Sequence, residues 1–210
     1  MCTGKTILAS VIIDACLKND AFKTGYFYCK DGDPQKTTCI AVLKGLLSQL
    51  LLHAPDLVPH FHDKYLSSGD QTLSTPKLAS SLLELLFETI PQIFVVIDGL
   101  DECELPERKQ VLQLLTGLVH RCDVKNPGKV RIMFVSQDFS DIAKGFPEGT
   151  KVVTLKTRDN ERDIRSYVQY WTREIQTKYD LNFEQAEFVE STTCARADGI
   201  FDSGPFGGCC

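Results

Sequence analysis

The sequence predicts an α/β fold built on a mostly parallel sheet, and three observations carry that prediction. Short apolar runs alternate with segments of helical period; the run Ile93-Phe94-Val95-Val96-Ile97 stops abruptly at Asp98; and Thr3-Gly4-Lys5-Thr6 leads straight into a long apolar segment. Strands separated by helical segments of 10 to 17 residues form βα units, whose crossovers favour parallel pairing. A strand that is apolar at every position is buried on both faces, as central parallel strands are. Its closing acid then stands at the carboxyl edge of the sheet, where open α/β sheets take their ligands.

Lys5 to Asn19 reads as the first helix, with apolar residues around most of its circumference, the pattern of a helix packed closely on a sheet. Thr24 to Cys29 is the next strand, and Lys30-Asp31-Gly32-Asp33-Pro34 is turn chemistry. Thr37 to His53 is an amphipathic helix, with Ile40, Leu43, Leu47, Leu50 and Leu51 near 3.6-residue spacing. Ala54 to Thr75 is a polar connection with room for a short helix around Phe61 to Leu66, and its His60 and His62 read as solvated surface rather than a metal site. Pro76 suits the first turn of a helix that carries Leu78, Leu82, Leu85, Leu86 and Ile90 inward and ends before Pro91.

After the central strand, a helix starts within Glu104 to Arg108 and runs to about His120, followed by a loop over Asp123 to Lys129. Val130 to Ser136 is the next strand and Lys151 to Leu155 a further one. Arg158 to Asp180 and Phe183 to Ala197 are helices, and residues 202–210 have no periodicity and are expected to be disordered.

At 210 residues, with 43% apolar and 24% charged, the composition is that of an ordinary globular domain. The formal charge of −5 and the lack of any basic run exclude a dedicated nucleic-acid surface from expectation. No run of 18 apolar residues occurs and no signal-peptide pattern is visible, so no membrane partner is expected. The nine cysteines are scattered, without C-x-x-C pairs. They read as reduced thiols, and a cytoplasmic location is the expectation.

Gly4-Lys5-Thr6 at a helix start resembles the back half of a Walker A phosphate loop, G-x-x-x-x-G-K-[ST]. Backbone N–H groups at a helix N-terminus cradle phosphate, and the dipole there favours an anion. Lys5 would reach the outer phosphates and Thr6 would offer its hydroxyl to Mg²⁺. The first glycine of the motif would precede Met1, and Cys2 stands where related loops carry glycine; the chain is therefore expected to begin inside the motif, as a fragment or from an internal Met. Asp98, Asp101 and Glu102 crowd one strand end. Like charges so close raise one another's pKa unless a cation sits among them. A hydrated Mg²⁺ held by one or two carboxylates and nucleotide phosphates explains them. The plainer alternative is a buried strand ending in an ordinary acidic turn.

The half loop, the stretch Tyr28 to Leu52, VVIDGLDEC from Val95 and VRIMFVSQ from Val130 together resemble the NACHT domain, in the version common in NOD-like receptor proteins of filamentous fungi. The resemblance runs over roughly residues 1–201. It implies a three-layer P-loop NTPase sheet, mostly parallel, with helices on both faces, its first strand missing, and strand order 2-3-4-1-5. The NTPase core would cover 1–157 and a C-terminal helical segment of the same domain 158–201, before the 202–210 tail. The missing strand would belong between those at 130–136 and 151–155. As a STAND-class signalling switch, such a protein rests with ADP, exchanges it for a triphosphate, and self-associates to activate a separate effector domain, often with repeat domains beyond.

Carried over residue by residue, Thr3, Gly4, Lys5 and Thr6 would hold the phosphates of ATP or GTP, or of the diphosphate. Thr6 and Asp98 would serve Mg²⁺, and Asp101 or Glu102 would orient the attacking water. Ser136-Gln137 stands where the family usually has Ser-Arg contacting the terminal phosphate, and Gln137 cannot supply that charge to sense it; in this truncated form weak or no hydrolysis is expected. Two other functions compete. A small-molecule P-loop kinase needs a lid carrying arginines, whereas Ala54 to Thr75 holds no Arg and one Lys. A remnant that binds no nucleotide and acts only through protein contacts is the other.

Overall fold

Three parallel strands form one open sheet in the order β1 (Lys23–Tyr28), β2 (Ile93–Asp98), β3 (Val130–Val135). The register pairs Lys23 with Ile93 and Ile93 with Val130, so Tyr28, Asp98 and Val135 finish level at one edge. The computed structural model describes residues 4–67, 73–155 and 161–197. The chain divides into two compact units, one over Thr6–Thr150 with the sheet, the other holding the last two helices.

In the first unit β2 is buried on both faces, as its unbroken apolar run requires. Ile93, Val95 and Ile97 face one core with α2 (Cys39–Leu51), α4 (Pro76–Thr89) and α5 (Leu105–Lys125). Val96 faces the other, against Ala9 and Ile13 of α1 (Lys5–Leu17). Helices therefore cover both faces of the sheet, and the mixed α/β layering is compatible with a P-loop-like fold. The apolar pattern of α1 goes further than its burial: Ile7, Leu8 and Val11 on its outer side are exposed.

Helix α2 starts where the sequence has Thr38, whose hydroxyl accepts from the Ala41 N–H at 3.3 Å, the usual service of a threonine cap. The Glu107 carboxylate takes a second open donor, the Cys39 N–H, at 2.6 Å. Val42, Leu43, Leu46, Leu47 and Leu50 form its buried stripe, each full burial contributing about 1.5–3 kcal/mol. From the same helix, the Gln49 amide exchanges two hydrogen bonds with the Tyr26 backbone, 3.0 and 2.9 Å, and so blocks the outer edge of β1 as a neighbouring strand would. Pro76 and Pro106 sit in the first turns of α4 and α5, where a missing N–H costs nothing.

Several expectations need correction. Residues 151–155 form no strand; Val152 and Val153 are exposed. Valine-rich composition makes a segment strand-capable, but a strand exists only with a ladder partner. Among the described residues β3 pairs only with β2. The connection after α2 is more ordered than its polar composition implied, with a 3-10 turn at Pro55–Leu57 and α3 at Val58–Ser67, which places His60 and His62 on an exposed helix rather than a loop. Helix α5 continues through Lys125, five residues past His120, because Leu118 and Cys122 extend its buried stripe. A short α6 (Ser140–Gly145) follows β3, burying Ile142. The expected start at Arg158 and the 202–210 tail lie outside the described residues.

The second unit contains α7 (Glu161–Tyr179) and α8 (Phe183–Ala197), which pack on one another, with Ile164, Val168, Thr172 and Ala186 buried. The turn between them is explicit in the sequence. Asp180 takes φ 50 to end α7, and Asn182 and Gln185 cap one another's N–H groups at 2.9 and 3.0 Å, a capping box opening α8.

Candidate functional site

Asp98 is the last residue of β2 and only 4% exposed. The Thr6 side chain, in the first turn of α1, stands beside its carboxylate and, with the Gly99 amide, favours the charged form. Burial nevertheless pushes the Asp98 carboxyl above its ordinary range, with Asp101 and Glu102 adding to the rise. The same burial, reinforced by Asp98, raises the neighbouring Tyr28 phenol. A buried carboxyl whose pKa is raised at a sheet edge is a common mark of a binding or catalytic site.

The turn beyond Asp98 depends on Gly99. It adopts φ +73, and a Cβ there would stand 2.9 Å from the Cys29 carbonyl oxygen. The 3-10 turn Leu100–Glu102 follows and carries the other two acids. The Asp101 carboxylate accepts the Gln137 N–H at 3.0 Å, and the Glu102 carboxylate accepts the Asp31 N–H at 2.8 Å. The turn is thus tied to the chain ends after both flanking strands. A single N–H uses one of roughly four acceptor positions on a carboxylate, so both acids retain capacity to orient water.

Gly4 takes φ +72 immediately before α1, and Lys5 is the first residue of that helix. A left-handed glycine leading into a helix N-terminus aims successive amides at one point, the arrangement that holds anions. Thr3 lies outside the described residues. The Ser136 hydroxyl donates to the Gln137 carbonyl at 3.0 Å. The structure therefore brings Thr6, Asp98, Asp101, Glu102 and the Gln137 backbone to one edge of the sheet.

The donor set fits Mg²⁺ with a nucleotide. Thr6 and Asp98 offer hard oxygens, and no group of three or more His, Cys, Asp or Glu among the described residues could hold a metal alone. Mg²⁺ is commonly held by one or two protein oxygens with phosphates and water completing its shell. Thr6 and Asp98 would be its protein contacts here. Burial pushes the Cys39 thiol up to about 12, whereas a hydrogen bond with Cys29 draws the Cys103 thiol below its ordinary range. The Cys103 sulfur beside it, and burial, hold the Cys29 thiol well above its ordinary range.

Sequence reasoning missed Arg108. Its guanidinium grips Asp141 at two points, 2.7 and 3.1 Å, and reaches the Asp101 carbonyl at 3.4 Å. One signal existed: Arg108 stands in the first turn of α5, where the helix dipole disfavours a cation unless a specific partner holds it.

An open parallel sheet with a hydroxyl–carboxylate pair at its carboxyl edge defines a mixed α/β domain compatible with the P-loop type. Residues 1–137 match the family model described as "Nephrocystin 3, N-terminal", and the chain belongs to that family. It is also similar to "Vegetative incompatibility protein HET-E-1" of Podospora anserina, 27% identical over 192 residues, which is 85% of this chain and 14% of that protein. The two likenesses support a NACHT or NOD-like relation at the level of the family. No solved structure matches the chain. No single helix among the described residues is long and apolar enough to cross a membrane.

Proposed function

We propose that the chain is the nucleotide-binding module of a NACHT-type signalling switch, taking ATP or GTP, or the diphosphate, with Mg²⁺. One observation carries this reading: the Thr6 side chain stands beside the buried Asp98 carboxylate, favouring its charged form, at the edge where α1 begins. A threonine at a helix start and an acid at a strand end are the two protein contacts an octahedral Mg²⁺ on a phosphate chain requires. Gly4 and the first amides of α1 would receive the phosphates, and Lys5 would neutralise the outer charge. The chemistry that Mg²⁺ would supply there is charge neutralisation of the phosphates, with Thr6 and Asp98 holding it. Asp101 or Glu102 would orient water, with turnover weak or absent because Gln137 brings no positive charge to the terminal phosphate.

The intact protein would place this module beside effector and repeat domains, self-associate when the triphosphate is bound, and act in the cytoplasm. The chain spans 14% of its curated relative's length, so these roles are read for the longer protein. Titration with a fluorescent nucleotide tests the module itself. Lys5→Ala should weaken binding by roughly 10- to 100-fold, the worth of a charge-assisted phosphate contact. Equal, tight binding by both forms would remove the phosphate-loop assignment.

A further inference from the structure

The acidic turn after β2 is held by three bonds from outside itself. Glu102 takes the Asp31 N–H, Asp101 takes the Gln137 N–H, and the Asp101 carbonyl takes a guanidinium N–H of Arg108. The third is the longest, 3.4 Å, and weak by itself. Its geometry depends on what holds the guanidinium. Asp141 does so at two points, and the Phe139 ring lies 5.0 Å beneath the guanidinium. The Arg108 and Asp141 side chains are only 13% and 22% exposed.

These contacts close a ring: Asp101 to Gln137 through its carboxylate, along the chain to Asp141, across to Arg108, and back to the Asp101 carbonyl. One side of the ring is the turn carrying the site's acids. Another is Gln137, and a third is α6. A largely buried ion pair is poor value as a stabiliser, since apolar residues of similar volume often do as well. What apolar residues cannot do is fix a carbonyl in direction. Arg108 can, because its donors form a rigid fork, and lysine offers only a point charge.

We propose that Arg108 is a positioning residue of the nucleotide site: anchored on Asp141, it sets the turn that carries Asp101 and Glu102 and ties α6 to that turn. The inference rests on the nucleotide reading above. Disturbing the anchor loosens the Asp101–Gln137 bond first, and weakens the Mg²⁺-dependent part of nucleotide binding by shifting Asp98, to which the turn is joined through Gly99.

The test uses Arg108→Lys and Asp141→Asn in the 210-residue chain with two readouts. Amide hydrogen exchange without nucleotide should show the Gln137 amide exchanging roughly tenfold faster in each variant, with the β2 amides unchanged, because local opening is separable from global unfolding. Titration with a fluorescent ATP analogue should show affinity in Mg²⁺ falling roughly tenfold and affinity in EDTA unchanged. The double variant should be no worse than either single one, as expected for two groups acting as a unit. Unchanged Gln137 exchange, or equal losses in Mg²⁺ and EDTA, would overturn the positioning role. A wild-type chain that binds no nucleotide would overturn the nucleotide reading and this inference with it; a wild type that binds, and an Arg108→Lys variant that binds equally, would overturn this inference alone.

Discussion

The Thr6 side chain stands beside the carboxylate of Asp98 and favours its charged form, linking the first turn of α1 to the end of the central strand across 92 residues of sequence. Neither group needs the other to form its own element. Their meeting follows from the sheet register, which ends β2 at the edge where α1 begins, and from the pairing of Val96 with Ala9 and Ile13 beneath them. The pair is the structural basis for reading the site as one for a metal-bound phosphate.

Asp98 should make stability fall with rising pH in the absence of ligand. Its folded pKa is raised, by burial first. The folded state therefore binds more protons than the unfolded one above the unfolded value of about 3.9. The cost is absent below that value, grows as pH climbs through the raised folded pKa, and is complete above it. Asp98→Asn keeps the shape and removes the charge, so its melting temperature should exceed that of the wild type at pH 7, with the gap closing as acid is added. Thermal melts across a pH series check this; a gap independent of pH would contradict it.

Gly99→Ala should be costly for two separable reasons. The left-handed conformation costs a non-glycine residue about 1–2 kcal/mol, and the 2.9 Å approach to the Cys29 carbonyl adds the 1–3 kcal/mol or so typical of overpacking. Gly32 supplies the control, with φ +75 and open space around a new Cβ. Urea unfolding should show Gly99→Ala losing clearly more stability than Gly32→Ala. Equal losses would mean the backbone contact at Gly99 relaxes freely.

The acids should separate by role. Glu102→Gln keeps an acceptor for the Asp31 N–H, now 2.8 Å away, and should spare binding while slowing single-turnover hydrolysis in the longer protein. Asp98→Ala should weaken binding in Mg²⁺, because a group serving the metal acts in the ground state. If both variants lose binding alike and turn over at the wild-type rate, the roles are wrongly divided.

What was legible in the sequence follows from local chemistry. The unbroken run 93–97 reads as a two-faced strand because no polar residue interrupts it, and α2 and α4 read as helices because their leucines keep helical spacing. Residues 151–155 misled because strand composition is local and a ladder partner is not. At the site, Thr6 and Asp98 were visible through motif spacing. Arg108 and Asp141 were not, being 33 residues apart with no periodicity to link them. The engagement of Asp101 and Glu102 by backbone amides was equally hidden, since any residue can supply an N–H.

The most direct test of the metal-bound phosphate reading is nucleotide affinity with and without Mg²⁺, by fluorescence titration of the wild type, Thr6→Ala and Asp98→Asn. The Thr6–Asp98 pair predicts a wild type that binds more tightly in Mg²⁺ than in EDTA, by roughly tenfold or more, and two variants in which that difference disappears. Binding by all three proteins that is equally tight in Mg²⁺ and in EDTA would contradict it.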